Sequence, residues 1–263
     1  MKFFITFGLI ILVLYLLLII ALYFVQEKFI FFPSHLTQDF EFQYFENTAE
    51  VFLDIDAHTK IHALHFRVNQ PKGIILYFHG NARSLDDWGF AAQDFTALGW
   101  EVLMPDYRTF GKSTGKLSEK ALYADALRWY QHIQKNYSEQ DIIIFGRSLG
   151  TGIATQLASI NSPKHLILET PYLSLAHMVR LKMPFVPMQL LAYKFLSHRN
   201  IKKVNAPIDI IHGTQDALIP YGQAKKLASI MSEQTTFTTI EGGGHNDLSQ
   251  FKEWKKRIGE ILE

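Results

Sequence analysis

The sequence predicts an α/β fold, in which a mixed, mostly parallel eight-stranded sheet has helices on both faces and is preceded by one transmembrane helix. Three observations lead to this prediction. From residue 73 onward, short apolar runs alternate with helical segments; two strand-like segments come before them; and residues 3–25 are apolar and carry no charge. Strands that are apolar throughout are typical of a parallel sheet covered on both faces.

The eight strands are predicted in chain order. Residues 42–54 and 60–68 read as an antiparallel pair, and the later strands are residues 73–79, 100–105, 141–145, 165–169, 208–211 and 235–240. Helices are predicted at residues 84–98, 118–136, 149–160 and 221–231, with a final helix at the end. Apolar residues recur there at spacings of three and four, which predicts one buried face formed by Leu248, Phe251, Trp254, Ile258 and Ile261.

Composition narrows the function. The 263 residues are 48% hydrophobic, enough for the core of one domain. The 26 basic and 25 acidic residues give a net charge of +1 without a basic stripe, so we expect no nucleic-acid partner. The absence of cysteine excludes thiol catalysis, disulfides and thiolate metal sites. We expect no cofactor and no metal, and chemistry from serine, histidine and carboxylates.

The uncharged amino-terminal stretch is long enough to cross a bilayer, because about 20 apolar helical residues span its core. It passes into residues 26–28 without a small-residue cleavage motif. This favours an uncleaved anchor that comprises residues 1–27, followed by a globular domain that comprises residues 28–263. A cleaved signal and a buried core helix remain the alternatives. The charge of Lys2 against the neutral pair Glu27 and Lys28 favours a domain on the non-cytoplasmic side of a single-pass protein.

Residues 146–150 form the motif Gly-Arg-Ser-Leu-Gly between a predicted apolar strand and a predicted helix. This is the context of a nucleophile elbow, a tight turn that projects Ser148 above the sheet. Side chains at the two flanking glycines would clash with the neighbouring strand and helix. The amide of Leu149, at the start of the helix, is then available to an oxyanion. The alternative is a glycine-rich turn whose serine only caps the helix.

With these motifs, the chain from Gly73 to its end resembles the α/β-hydrolases. Residues 79–82, His-Gly-Asn-Ala, resemble the family's turn after the third strand, where a backbone amide completes the oxyanion hole. The resemblance implies that Asn81, with Ala82 as the alternative, supplies this amide beside Leu149. An ordinary turn that caps the next helix is the competing interpretation.

Serine needs an adjacent base held in the right tautomer by a third group. The resemblance assigns these parts to Asp216, which follows a predicted strand in the family's acid loop, and to His245, which follows three glycines. The order Ser, Asp, His is the one that the family shows. Asp247 is an alternative acid, although its position suits helix capping better.

Two other motifs are set aside. Residues 106–113 end in Gly-Lys-Ser but lack the first glycine of a phosphate-binding loop, so we expect no nucleotide partner. They resemble instead a branch of membrane-anchored esterases, lysophospholipases and depalmitoylases, in which Asp106 and Arg108 brace the loop. His58, His62 and His65 lie close in sequence, but His62 and His65 face opposite sides of a strand. We expect exposed histidines there and no metal site.

Residues 171–200 are rich in methionine and aromatic residues and hold the position of a lid-like insertion. Met178, Phe185 and Met188 are the candidate pocket residues, unless they simply pack on the sheet. A bilayer anchor with an apolar lid favours a serine hydrolase that cleaves esters or thioesters of acyl, lipid-like substrates through an acyl-enzyme. A serine peptidase or amidase of the same fold and a non-catalytic membrane-tethered binding module are the alternatives.

Overall fold

The computed structural model describes residues 1–44 and 47–263, and within these ranges ten strands form two sheets. In chain order the strands are β1 (Phe32–Pro33), β2 (Thr48–Asp56), β3 (Thr59–Phe66), β4 (Ile74–Phe78), β5 (Ala82–Arg83), β6 (Glu101–Pro105), β7 (Ile142–Arg147), β8 (His165–Glu169), β9 (Ile208–Gly213) and β10 (Thr235–Ile240). The main sheet has eight strands in the order β10-β9-β8-β7-β4-β6-β3-β2, and β1 pairs with β5 in the small one. Only the pairs of β3 with β2 and β6 are antiparallel among these described strands. The mixed, mostly parallel eight-stranded sheet is therefore confirmed.

Helices cover both faces of this sheet. In chain order the described α-helices are α1 (Lys2–Ile30), α2 (Leu85–Trp88), α3 (Gln93–Thr96), α4 (Glu119–Ile133), α5 (Gly150–Ala158), α6 (Leu175–Lys182), α7 (Ser197–Asn200), α8 (Tyr221–Ala228) and α9 (Lys252–Leu262). Trp129 of α4 and Ile153 of α5 belong to the core of one face, and Phe95 of α3 and Trp254 of α9 to the core of the other. The apolar face predicted at the chain's end is buried at Leu248, Trp254, Ile258 and Ile261, and Phe251 is partly buried.

The first predicted strand was placed too early. Residues 42–54 were expected to form it, but β2 begins at Thr48, and residues 45 and 46 lie outside the described part of the chain. The side chains before it have other partners. Phe42 stacks on His62 with ring centroids 5.5 Å apart, and the Tyr44 hydroxyl donates to the Asp86 carbonyl at 2.6 Å. Tertiary packing therefore takes these aromatic residues out of the strand.

The helix predicted over residues 84–98 is divided into α2, a 3₁₀ turn at Gly89–Ala92, and α3. Glycine weakens a helix interior because it gains most conformational freedom on unfolding. The Tyr44 ring also packs so closely on Gly89 that a Cβ there would lie 2.4 Å from it. The predicted helix is thus interrupted at the glycine against which Tyr44 packs.

The expectation of exposed histidines is wrong at two of three positions. His62 is fully buried between Phe42 and Phe52, with Nε2 3.1 Å from a Glu50 carboxylate oxygen. His65 is partly buried, with Nε2 2.7 Å from Glu101. His58 is exposed. Residues 42–44 fold over the face of β3 that carries His62, and the periodicity of the strand alone does not reveal this cover.

α1 is the one helix, within residues 1–44 and 47–263, that is long and apolar enough to cross a membrane. Most of its side chains are exposed, and its C-terminal half contacts the segment of residues 171–200. Tyr15 donates to the Phe185 carbonyl at 3.0 Å, and the Ala192 amide donates to Gln26 at 2.8 Å. The helix is thus not an isolated rod but packs beside that segment.

Candidate active site

Ser148 lies in a tight turn between β7 and α5. Its φ is +52°, in the left-handed region that non-glycine residues rarely adopt, and strain of this kind is concentrated at functional sites. The Ser148 amide donates to the Glu169 carbonyl at 2.9 Å, which fixes the turn to the end of β8. The chain thereby presents the serine at the carboxyl edge of the sheet, where ligands bind in open α/β folds.

The glycines on either side of this serine leave no room for a side chain. A Cβ at Gly146 would lie 2.7 Å from the Gly150 carbonyl oxygen, and a Cβ at Gly150 would lie 2.1 Å from the Phe78 carbonyl oxygen. Contacts under 3.0 Å with backbone require the backbone to move. The predicted steric role of both glycines is confirmed.

One imidazole bridges Ser148 to a buried carboxylate. His245 Nε2 lies 2.9 Å from Ser148 Oγ, and His245 Nδ1 lies 2.7 Å from Asp216 Oδ2. A carboxylate only accepts, so Nδ1 carries the hydrogen and Nε2 faces the hydroxyl as an acceptor. The structure thus brings together three residues that are 97 and 29 positions apart, at the ends of three different elements.

Asp216 is held as an anion. Its Oδ1 accepts the amides of Leu218 and Ile219, both at 2.8 Å, and its Oδ2 also lies 3.3 Å from His212 Nε2. Burial raises the pKa of the Asp216 carboxyl, but the hydrogen bonds to His212 and His245 outweigh burial and hold that pKa well below its usual value. An anion beside Nδ1 stabilises the positive charge that His245 gains when it accepts a proton.

Asp247 has a different partner. Its Oδ1 accepts the Gly244 amide at 2.7 Å. It also lies before the 3₁₀ turn Leu248–Gln250, but its carboxylate makes no capping bond there. The expectation of helix capping is therefore wrong, and the carboxylate bonded to His245 is that of Asp216.

The turn after β4 lies beside the nucleophile turn. A Cβ added to Gly80 would lie 3.9 Å from the Ser148 Cβ. His79 Nδ1 lies 2.7 Å from the Gly80 carbonyl, which can only accept, and Tyr107 donates to the His79 carbonyl at 2.6 Å. In a trans peptide, the N–H of Asn81 points opposite to the Gly80 carbonyl. The buried His79 ring thus fixes the orientation of the peptide that carries the predicted donor.

Leu149 precedes the first residue of α5, so its amide belongs to the first N–H groups of the helix, which have no intrahelical acceptor. Gly150 packs directly against the end of β4, as its contacts to Phe78 and His79 require. The amides of Asn81 and Leu149 therefore come from two adjoining turns. Their role as oxyanion donors stays a prediction.

Arg147 is a contact residue that the sequence motif did not single out. Its Nε lies 3.0 Å from Glu169, its guanidinium lies 5.1 Å from the Trp88 ring centroid, and it donates to Asn246 at 3.5 Å. Trp254 donates to the same Glu169 carboxylate at 2.7 Å. Arg147 thus joins the nucleophile turn to the histidine loop, a link that spacing along the chain could not reveal.

The three candidate pocket residues are placed differently from one another. Met178 is buried in the core, Met188 is partly buried, and Phe185 is half exposed beside α1. An apolar cavity of about 70 Å³ separates α1 from this segment, with walls formed by Val179, Met183, Val186, Leu190 and Leu191 on one side and by Ile19, Leu22, Tyr23, Phe29 and Ile30 on the other. Contact of the three residues with substrate stays a prediction.

Comparison with known proteins agrees with this geometry. The sequence profile of the family described as serine aminopeptidase, S33, matches residues 69–199, which include the nucleophile turn. The mouse protein named alpha/beta hydrolase domain-containing protein 17C is 29% identical over 239 residues, covering 87% of this chain and 73% of the mouse protein. The chain belongs to the α/β-hydrolase superfamily.

Two further similarities bear on this α/β-hydrolase. The protein Rv2307c of Mycobacterium tuberculosis is 34% identical over 177 residues, which are 66% of this chain and 63%, less than two thirds, of the mycobacterial protein. The esterase Pf2001 of Pyrococcus furiosus superimposes with a TM-score of 0.69 at 17% identity, over 89% of this chain and 97% of the esterase. The fold of the α/β-hydrolases is thus shown.

Proposed function

We propose that the chain is a membrane-anchored serine hydrolase that cleaves carboxylic ester or thioester bonds of acyl, lipid-like substrates. One observation carries the proposal: His245 lies within hydrogen-bond distance of both Ser148 and the buried anion of Asp216. This is the arrangement that activates a serine hydroxyl at neutral pH. The esterase name of the Pyrococcus neighbour agrees with it.

The reaction proceeds in two acyl-transfer steps. His245 Nε2 takes the proton from Ser148 Oγ while that oxygen bonds to the substrate carbonyl carbon, and the amides of Asn81 and Leu149 hold the resulting oxyanion. His245 then returns the proton to the leaving alcohol or thiol, which leaves an acyl-serine. Water repeats the sequence, releases the acid and restores the serine.

The membrane part of the proposal rests on α1 and its neighbour. Apolar side chains are exposed along α1, and Leu181, Phe185 and Leu190 are exposed on the segment that packs beside it. Water penalises a continuous apolar surface of this kind, whereas a bilayer does not. If α1 is an uncleaved anchor, the intact mass of the detergent-extracted protein includes residues 1–27; a mass that begins after them indicates a cleaved signal.

The test is hydrolysis by the full chain in detergent, measured on p-nitrophenyl esters from acetyl to palmitoyl, on an acyl thioester and on an aminoacyl anilide. We expect Ser148→Ala to lose activity by about a millionfold. Ser159→Ala is the matched control, because Ser159 lies at the other end of α5 and its hydroxyl donates, among the described residues, only to the helix carbonyl of Gln156. Faster cleavage of the anilide would favour a peptidase, and no turnover by folded protein would favour a binding module.

A further inference from the structure

The end of α1 lies directly against the turn that carries Asn81. The Asn81 side chain donates from Nδ2 to the Ile30 carbonyl at 2.7 Å, and the Phe32 amide donates to the Asn81 carbonyl at 2.8 Å. One step further, the Ser34 amide donates to the Arg83 carbonyl at 3.2 Å, and β1 and β5 run parallel here. The side chain of Asn81 is thus bonded to the last residue of the apolar helix, and its carbonyl to the segment that follows.

The same segment is itself firmly held. Phe31 is 4% exposed and packs edge-on against Phe110 and Tyr193, at centroid distances of 6.4 and 4.9 Å. The Gly111 amide donates to the Ser34 carbonyl at 2.8 Å. Residues 30–34 therefore form a wedge, which we call the junction segment, between the turn after β4 and the loop after β6.

The Ile30 carbonyl is among the last of α1, where carbonyl groups have no intrahelical donor. The side-chain amide group of Asn81 donates a hydrogen bond to this carbonyl from outside the helix. On the other side, His79 fixes the Gly80 carbonyl. The peptide group between Gly80 and Asn81 presents the Asn81 backbone N–H. It is therefore restrained on one side by the buried His79 ring and on the other by the junction segment.

We propose that the Asn81 side chain is a positioning group, and that the junction segment at the end of α1 is a structural part of the oxyanion hole. This inference rests on the proposed function. Oxyanion donors act because they are fixed before charge develops, so a loosened turn lowers the rate of the chemical step more than it weakens substrate binding. The segment that joins the apolar helix to the domain thereby sets the rate of acyl transfer.

The test uses the full chain in detergent with Asn81→Ala and Asn81→Asp. Both variants keep the backbone amide and lose the side-chain donor, and the isosteric Asp also turns a carboxylate oxygen toward the Ile30 carbonyl. We expect kcat on p-nitrophenyl esters to fall about tenfold for Ala and further for Asp, with KM changed less than about twofold. Affinity for an acyl trifluoromethyl ketone, whose serine adduct carries an oxyanion, should fall by the same factor as kcat.

Gln38→Ala is the matched control. Gln38 follows the junction segment by four residues, and its Nε2 donates to the Lys112 carbonyl at 3.1 Å. The variant therefore removes a hydrogen bond of the same kind, from a side-chain amide to a backbone carbonyl, that does not involve Asn81. We expect its kcat and ketone affinity to equal those of the wild type. Thermal unfolding of each variant in the same samples separates a loosened turn from an unfolded domain.

Two results would overturn the inference. Asn81→Ala and Asn81→Asp could keep wild-type kcat and ketone affinity, or Gln38→Ala could lose as much as they do. Either result leaves the proposed function intact as long as Ser148→Ala is inactive. If the wild-type chain hydrolyses none of the esters, the proposed function fails, and this inference fails with it.

Discussion

Two buried aspartates lie at opposite ends of β9, and each is paired with a histidine. Near the start of the strand, Asp209 lies 2.6 Å from His165 Nε2. It also accepts hydrogen bonds from Nε and Nη2 of Arg257, at 2.5 and 3.0 Å. Past its end, Asp216 lies 2.7 Å from His245 Nδ1. Burial raises the pKa of both carboxyls, and in both the hydrogen-bonding partners outweigh burial and lower it.

The difference lies in the other partners. Arg257 of α9 already neutralises Asp209, so this pair ties the last helix to the sheet. Asp216 has no arginine partner among the described residues, and the second nitrogen of its histidine faces Ser148. A buried Asp–His pair is therefore not by itself a sign of catalysis; the group beyond the histidine decides its role.

Of the changes to these aspartates, the largest effect is expected for the pair beyond the end of β9. Asp216→Asn removes the anion that holds His245 in the productive tautomer, so kcat on an acyl ester should fall about ten-thousandfold. Steady-state kinetics of the full chain measure it. A variant that keeps more than a tenth of wild-type kcat would show that Asp216 does not orient the base.

The matched change at the start of the strand should act on stability. Asp209→Asn removes the buried partner of Arg257, which then keeps only the exposed Glu260 carboxylate. This should lower the free energy of unfolding by about 3 kcal/mol, the low end for a buried pair because Arg257 is partly exposed. We expect kcat to stay within about threefold of wild type, because the described side-chain partners of Asp209, His165 and Arg257, lie outside the site. Urea unfolding and ester hydrolysis of the same samples check both parts, and a catalytic loss like that of Asp216→Asn would erase the distinction.

The stabilisation by Asp209 should also depend on pH. Its folded-state pKa is lowered, so the ionised form stabilises the fold above the unfolded pKa of about 3.9, and the contribution is lost as pH falls through the folded value. The stability difference between wild type and Asp209→Asn should therefore be largest near neutral pH and shrink in acid. Urea unfolding of both proteins along a pH series measures it. A difference that grows as pH falls would contradict this assignment.

The smallest effect is expected for Asp247, the alternative acid in the histidine loop, and it tests whether Asp216 or Asp247 orients His245. Asp247→Asn changes a carboxylate that accepts the Gly244 amide but does not contact His245 Nδ1. We expect kcat to fall less than about tenfold, since one charge-assisted hydrogen bond contributes about 1.5–3 kcal/mol to the loop and little to the base itself. Kinetics beside Asp216→Asn test this, and equal losses would leave the acid unassigned.

Much of this fold could be predicted because its signals are local. Apolar strands such as residues 142–145 and the glycines around Ser148 reflect burial and steric limits that a few neighbouring residues determine. The acid and histidine loops follow strands of the same kind, so the sequence also indicated that their side chains meet. The superfamily's chain order supplied their assignment.

What sequence could not predict depends on contacts between distant segments. Phe42 covers His62, and Tyr44 packs on Gly89, the residue at which the predicted helix gives way to a 3₁₀ turn. The bond from Asn81 to Ile30 joins residues 51 positions apart, and nothing in either local pattern points to the other. The apolar run of α1 indicated a membrane segment, but not that its end packs against the candidate site.

The central claim is that Ser148 is a nucleophile activated by His245. The most direct measurement is mass-spectrometric mapping of the residue that a fluorophosphonate modifies in the folded full chain, with the labelling rate compared between wild type and His245→Ala. We predict one adduct, on Ser148, and a labelling rate that falls at least about a thousandfold without the imidazole. No adduct on folded wild-type protein, or an adduct on another serine, would contradict the account.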